Sequence, residues 1–166
     1  MSASNSLHYE LCKLGAKLLR SRKNPTLPFN RPCKYATVEL VCCGAELTDV
    51  WGTTGDCTVL IEVKTSRSDF LADKRKYARS KQAQMLNHQI GNYRYYLCPE
   101  GVIKEEELPE NWGLLLWDGK KIHKAKMATK VESSVTMELL HITSVISRIL
   151  KPQTFNFREK NKVKLV

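Results

Sequence analysis

Asp49, Glu62 and Lys64 are the residues of this 166-residue chain whose types and spacing suit one chemistry. Leu60-Ile61-Glu62-Val63-Lys64 is an apolar strand with an acid and a lysine on one face at its carboxyl end, because strand side chains alternate with a period of two. Asp49 stands thirteen residues before Glu62. If the two runs form a hairpin turning near Gly55 and Asp56, Asp49 sits opposite Glu62 with Cβ atoms about 5 Å apart. Carboxylates that close repel unless something cationic lies between them. They offer hard oxygen ligands for Mg²⁺ or Mn²⁺, and the Val63 carbonyl adds a third. Lys64, a compact cation, can position a nucleophile or stabilise a pentacoordinate transition state. Metal-assisted phosphodiester hydrolysis is the chemistry that uses all of these. Taken alone, Glu-x-Lys also reads as an ordinary salt pair; the acid at hairpin spacing, the apolar strand and the basic bias favour the metal.

The elements that must position these groups can be read along the chain. Residues 5–22 form a helix on which Leu7, Leu11, Leu14 and Leu18 draw one stripe, with Glu10 at its border. The proline-rich stretch 24–32 is a loop. A strand follows over 35–43; Asp49 to Gly52 leads into a turn, and a second long strand runs 57–64. Ser66 caps a helix, with Asp69 three residues on, that extends to about His88. Phe70, Leu71, Tyr77, Ala78 and Met85 face inward on it. Residues 93–98 are a strand stopped by Pro99, and strands 113–117 and 121–127 flank the hairpin turn Asp118-Gly119. A last helix spans 134–150, with Val135, Leu139, Ile142, Ile146 and Ile149 at helical spacing, before a basic, mobile tail over 152–166. The order predicts a single α/β domain with a central mixed sheet flanked by helices. The Glu62 strand is apolar on both faces until its end, hence central, and its carboxyl end opens into a crevice.

Bulk properties narrow the partners. A formal net charge of +10 with basic residues clustered over 13–34, 74–81 and 158–164 favours a polyanion, while Glu105-Glu106-Glu107 and Glu110 form a separate acidic patch. The six cysteines show no C-x-x-C pair and read as buried thiols; the vicinal Cys42-Cys43 has no evident role. The four histidines show no ligand spacing and read as structural. Trp112 and Trp117 read as core. The chain has no long apolar run and no secretory signal, so a cytoplasmic protein without membrane contact is expected.

Asp49 followed by Glu62-Val63-Lys64 is similar to the D-(x)n-E-x-K signature of the PD-(D/E)XK nuclease superfamily, the restriction-endonuclease-like fold. The longer run Ile61 to Lys74 resembles the corresponding run in the MmcB-like branch and related phage or bacterial proteins, as does Tyr95 to Gly101. The resemblance covers residues 39–117. It implies a restriction-endonuclease-like core, Asp49 and Glu62 as metal ligands, Lys64 as catalytic lysine, and Glu10 as the acid that many members carry on the first helix. Glu39 is an extra candidate, for which a paired surface acid is the more frequent reading. Thr48 stands where the motif has its proline. The implied activity is a Mg²⁺- or Mn²⁺-dependent nuclease on DNA, with RNA left open, in repair, phage biology or defence. Arg67, Lys74, Arg75, Lys81 and Gln82 are candidates for the nucleic-acid groove, against helix capping or solvated polarity. By analogy, cutting two strands points to a homodimer. The alternatives are a non-catalytic nucleic-acid-binding module on the same fold and a protein-interaction domain using the acidic patch.

Overall fold

The computed structural model describes residues 3–28, 31–40, 48–79, 89–149, 155–156 and 164–165; the side chains of 3–5, 74–79, 155–156 and 164–165 lie outside the description. Cys42, Cys43, Tyr77, Ala78, Lys81, Gln82 and Met85 therefore lie outside it too, wholly or by side chain, as do most of the tail and the side chains of Lys74 and Arg75.

Helix α1 (Ala3–Leu19) precedes an antiparallel meander of β1 (Tyr35–Leu40), β2 (Thr48–Thr53) and β3 (Thr58–Val63). Helix α2 (Arg67–Arg79) then crosses to β4 (Tyr93–Pro99), which runs parallel to β3, as a parallel pair requires of its connection. A 3-10 turn, Glu105–Glu107, leads to β5 (Gly113–Trp117), parallel to β4, and β6 (Ile122–Lys126) returns antiparallel. Helix α3 (Val135–Ile149) follows, and β7 (Phe155–Asn156) pairs with β8 (Lys164–Leu165). The six long strands lie in one sheet in chain order, so this is an α/β fold with a mixed sheet and β3 in its interior. Among the described residues no helix is long and apolar enough to cross a membrane.

The sheet separates two cores according to strand parity. Ile61, Val63, Tyr95 and Leu97 pack with Leu11, Cys12 and Leu19 of α1. Tyr96 and Cys98 face the other way, toward Phe70 of α2 and Trp112. Trp112 stacks on Tyr96 with ring centroids 4.5 Å apart, so it is core as expected, whereas Trp117 is half-buried. A third cluster, Trp51, Ile90 and Met137, seats α3.

Two apolar patterns differ from the expectation. The buried face of α1 is Leu11, Cys12, Gly15 and Leu19, rotated by roughly a quarter turn from the leucine stripe, and Leu14 is a third exposed. Small residues explain the rotation. A Cβ at Gly15 would lie 3.3 Å from Val50 Cγ2, so the helix backbone approaches the sheet where it has least bulk. On α3 the buried side chains are Met137 and His141, while Val135, Leu139, Ile142, Ile146 and Ile149 are exposed. His141 lies against Trp51 with centroids 4.6 Å apart, and burial, with Arg148 nearby, lowers its pKa to about 4, so it is a neutral core histidine. Leu71, expected inward, is also exposed, while its neighbour Phe70 is fully buried.

The ends of the elements are fixed by identifiable groups. Ser66 Oγ accepts the Asp69 N–H at 3.2 Å, the N-cap bond that starts α2 directly after β3. Gly91, at φ +88, carries the chain into β4 so close to Leu60 that a Cβ would sit 2.8 Å from that residue's Cβ.

Candidate active site at the carboxyl end of strand β3

The β2–β3 ladder pairs Thr53 with Thr58 and Val50 with Ile61, and the same register carried one residue further sets Asp49 against Glu62. The expected hairpin is present as far as Val50 and Ile61. Beyond Val50 the Asp49 carboxylate takes over from the backbone: its Oδ2 accepts the Val63 N–H at 2.7 Å. This bond ties the aspartate to the end of the strand that carries Glu62.

On the far side of β3 the ladder ends for a different reason. The Lys64 N–H donates to the Leu97 carbonyl at 2.9 Å, and the next rung of a parallel ladder would need an N–H from Pro99, which has none. β3 thus runs out of partners on both sides at Val63 and Lys64, which is where a crevice can form.

The Lys64 side chain is nearly buried, with Nζ 3.7 Å from Glu62 Oε2 and 3.6 Å from Asp73 Oδ1. Burial disfavours the ammonium, but Glu62, Asp73, Asp69 and Asp49 together outweigh it and raise the pKa above the usual lysine value. The group is a fixed cation. Asp73 is fixed in turn, because Tyr96 donates its hydroxyl to Asp73 Oδ2 at 2.7 Å. Burial, and then the Asp73 and Glu62 charges, push the Tyr96 phenol far above its ordinary range, so it remains a donor.

A second set of side chains reaches Asp49 from α1. His8 Nε2 lies 3.4 Å from Asp49 Oδ2 and its Nδ1 3.4 Å from Glu39 Oε1, while the buried Cys12 Sγ is 3.7 Å from Nδ1. Burial and the charges of Asp49, Glu39 and Glu62 hold the Cys12 thiol strongly protonated. Glu39 has φ +48, a left-handed conformation rare for glutamate and of the kind that costs on the order of 1–3 kcal/mol. It is a paired acid, as the more frequent reading had it, and its pair is His8 of the site.

The structure therefore brings Asp49, Glu62, Val63 and Lys64 to one sheet end and leaves Glu10 out. Glu10 is exposed and about 200° round the helix from His8, so among the described side chains of α1 it is His8 and Cys12 that face the cluster. Arg67 is also committed elsewhere: its guanidinium forms a two-pronged ion pair with Glu107, one arm at 2.5 Å, which raises its pKa. His8 and Asp73, neither of them expected among the site residues, each carry a spacing signal in the sequence. His8 and Cys12, like Asp69 and Asp73, stand four residues apart on one helix face.

On the Glu62 side, Asp49 and Glu62 are largely shielded carboxylates at the strand end that carries the Val63 peptide, oxygen donors of the kind a hard divalent cation takes.

No family model matches the chain, and no curated protein matches it. Among solved structures it is similar to the SPO1766 protein of unknown function from Silicibacter pomeroyi, with a TM-score of 0.51 and 21% identity over 69% of this chain and 73% of that one. That likeness concerns the fold.

Proposed function

We propose that the chain is a divalent-metal-dependent nuclease of the PD-(D/E)XK type, with a restriction-endonuclease-like core, hydrolysing phosphodiester bonds in DNA. The observation that carries the reading is the junction of Asp49, Glu62 and Lys64 at the end of β3, with Asp49 bonded to the Val63 N–H and Lys64 held between Glu62 and Asp73. Asp49, Glu62 and the Val63 carbonyl would hold Mg²⁺ or Mn²⁺, which when bound neutralises phosphate charge and lowers the pKa of a water. Lys64 presents a permanent positive charge to the phosphate. Its two carboxylate neighbours keep it in place before substrate arrives, so its reorganisation cost is met in folding. The Val63 N–H orients Asp49. The net charge of +10 supports a polyanionic substrate and the free Cys12, Cys33, Cys57 and Cys98 a reducing, cytoplasmic setting. A homodimer belongs to the same proposal, since two centres cut two strands.

The test is incubation of plasmid and single-stranded DNA with Mg²⁺, Mn²⁺ or EDTA, comparing wild type with Asp49→Asn and Lys64→Ala. Metal-dependent cleavage lost in both variants is expected. Metal-independent retardation without cleavage would favour a binding module, and no affinity at low salt would refute a nucleic-acid partner.

A further inference from the structure

The α1 side of Asp49 has a different chemistry from the Glu62 side. His8 and Cys12 stand one helical turn apart and point at the same sheet end. One donor atom each from His8, Cys12 and Asp49 lies within 4.8 Å of the other two. Metal bonds of about 2.0–2.3 Å in a tetrahedron set neighbouring donors roughly 3.3–3.8 Å apart. The contacts of His8 already fall in that range: 3.7 Å to Cys12 Sγ, 3.4 Å to Asp49 Oδ2 and 3.4 Å to Glu39 Oε1. They use both ring nitrogens, so a rotation of the half-buried imidazole is needed to bring three donors onto one ion.

We propose that His8, Cys12 and Asp49 form a binding site for a transition-metal dication, Zn²⁺ above all, with Glu39 placed to serve as the fourth donor. A sulfur, an imidazole nitrogen and one or two carboxylate oxygens select Zn²⁺ over Mg²⁺, which takes oxygen ligands almost exclusively. The left-handed backbone at Glu39 directs its carboxylate to His8, and such local strain collects at functional positions. On binding, the Cys12 S–H proton passes to solvent as the sulfur–metal bond forms, so uptake is pH-dependent and releases acid. Asp49 is common to this site and to the proposed hydrolytic centre, so Zn²⁺ is expected to oppose Mg²⁺-dependent cleavage.

The site is tested without nucleic acid, so it stands or falls independently of the nuclease reading. The reduced full-length protein is titrated with Co²⁺ as a spectroscopic stand-in for Zn²⁺, and Zn²⁺ is then added in competition. The expected result is one Co²⁺ per chain with a near-ultraviolet thiolate-to-cobalt band, displaced by one equivalent of Zn²⁺. Cys12→Ser should abolish the band, and His8→Gln should weaken binding at least tenfold. Glu62→Gln should keep both band and affinity. Because Cys12 is fully buried and its substitution can disturb folding, His8→Gln is the decisive variant, with circular dichroism confirming its fold. Absence of a thiolate band would overturn the proposal, and so would an unchanged band and affinity in His8→Gln, which would place the metal on other thiols.

Discussion

Replacing Lys64 with methionine retains an unbranched stem of similar size and removes one charge from a site where it is nearly buried between Glu62 and Asp73. At an effective dielectric near 20, unit charges 3.6–3.7 Å apart attract by about 4–5 kcal/mol, and two such contacts are offset by several kcal/mol of ammonium desolvation. Removing the cation leaves its carboxylate partners uncompensated, and losing one partner of a buried ion pair typically costs about 3–5 kcal/mol. The expected loss at pH 7 is therefore about 3–5 kcal/mol, read from urea unfolding of wild type and Lys64→Met. The pH window follows from linkage. The folded-state pKa of Lys64 is raised, so its stabilisation is complete below the unfolded value near 10.5 and is lost as the pH climbs through the higher folded value. The gap between the two proteins should stay constant from pH 7 to 10 and narrow above that. In a double-mutant cycle, Asp73→Asn should cost less in the Lys64→Met background than in wild type. A loss under 1 kcal/mol, or an additive cycle, would refute the claim that Lys64 is held by this pair of carboxylates.

Three further outcomes are expected. Glu62→Gln should abolish DNA cleavage while retaining or tightening binding in a gel-shift assay, because a ligand and a repulsive charge near phosphate are lost together; unchanged cleavage would remove Glu62 from the chemistry. Ser66→Ala should cost about 1 kcal/mol in thermal or urea unfolding through loss of the N-cap bond to Asp69, and no change would show that the cap is dispensable. Gly113→Ala should cost about 3 kcal/mol or more, because its Cβ would lie 2.3 Å from Tyr95 Cε1 and 2.7 Å from the Ala128 backbone nitrogen, and a neutral result would mean that β5 can shift.

The parts of the site that follow from strand alternation were legible in the residues. The β2–β3 register that brings Asp49 toward the end of β3 depends only on the Gly55-Asp56 turn, and Glu62 and Lys64 share a face because strand side chains alternate with a period of two. Ser66 as N-cap was legible because hydroxyl capping is local. The inner face of α1 was not. Hydrophobic spacing weights leucines, whereas the helix approaches the sheet through Gly15 and Cys12, and that rotation exchanges Glu10 for His8. Asp73 was hidden similarly, since an acid among lysines on a helix looks solvated until Tyr96 and Lys64 are placed against it. Arg67 looked available until the fold brought Glu107, forty residues on, against it. On α3 the apolar period marks a helix, but period alone does not say which face meets the protein, and Trp51 selects Met137 and His141.

The central claim is most directly tested by soaking crystals of the protein with Mn²⁺ and locating the ion by anomalous scattering. The account predicts a peak within bonding distance of an Asp49 oxygen, a Glu62 oxygen and the Val63 carbonyl, with Lys64 alongside. A peak that avoids Glu62, or no ordered ion at saturating Mn²⁺, would contradict it.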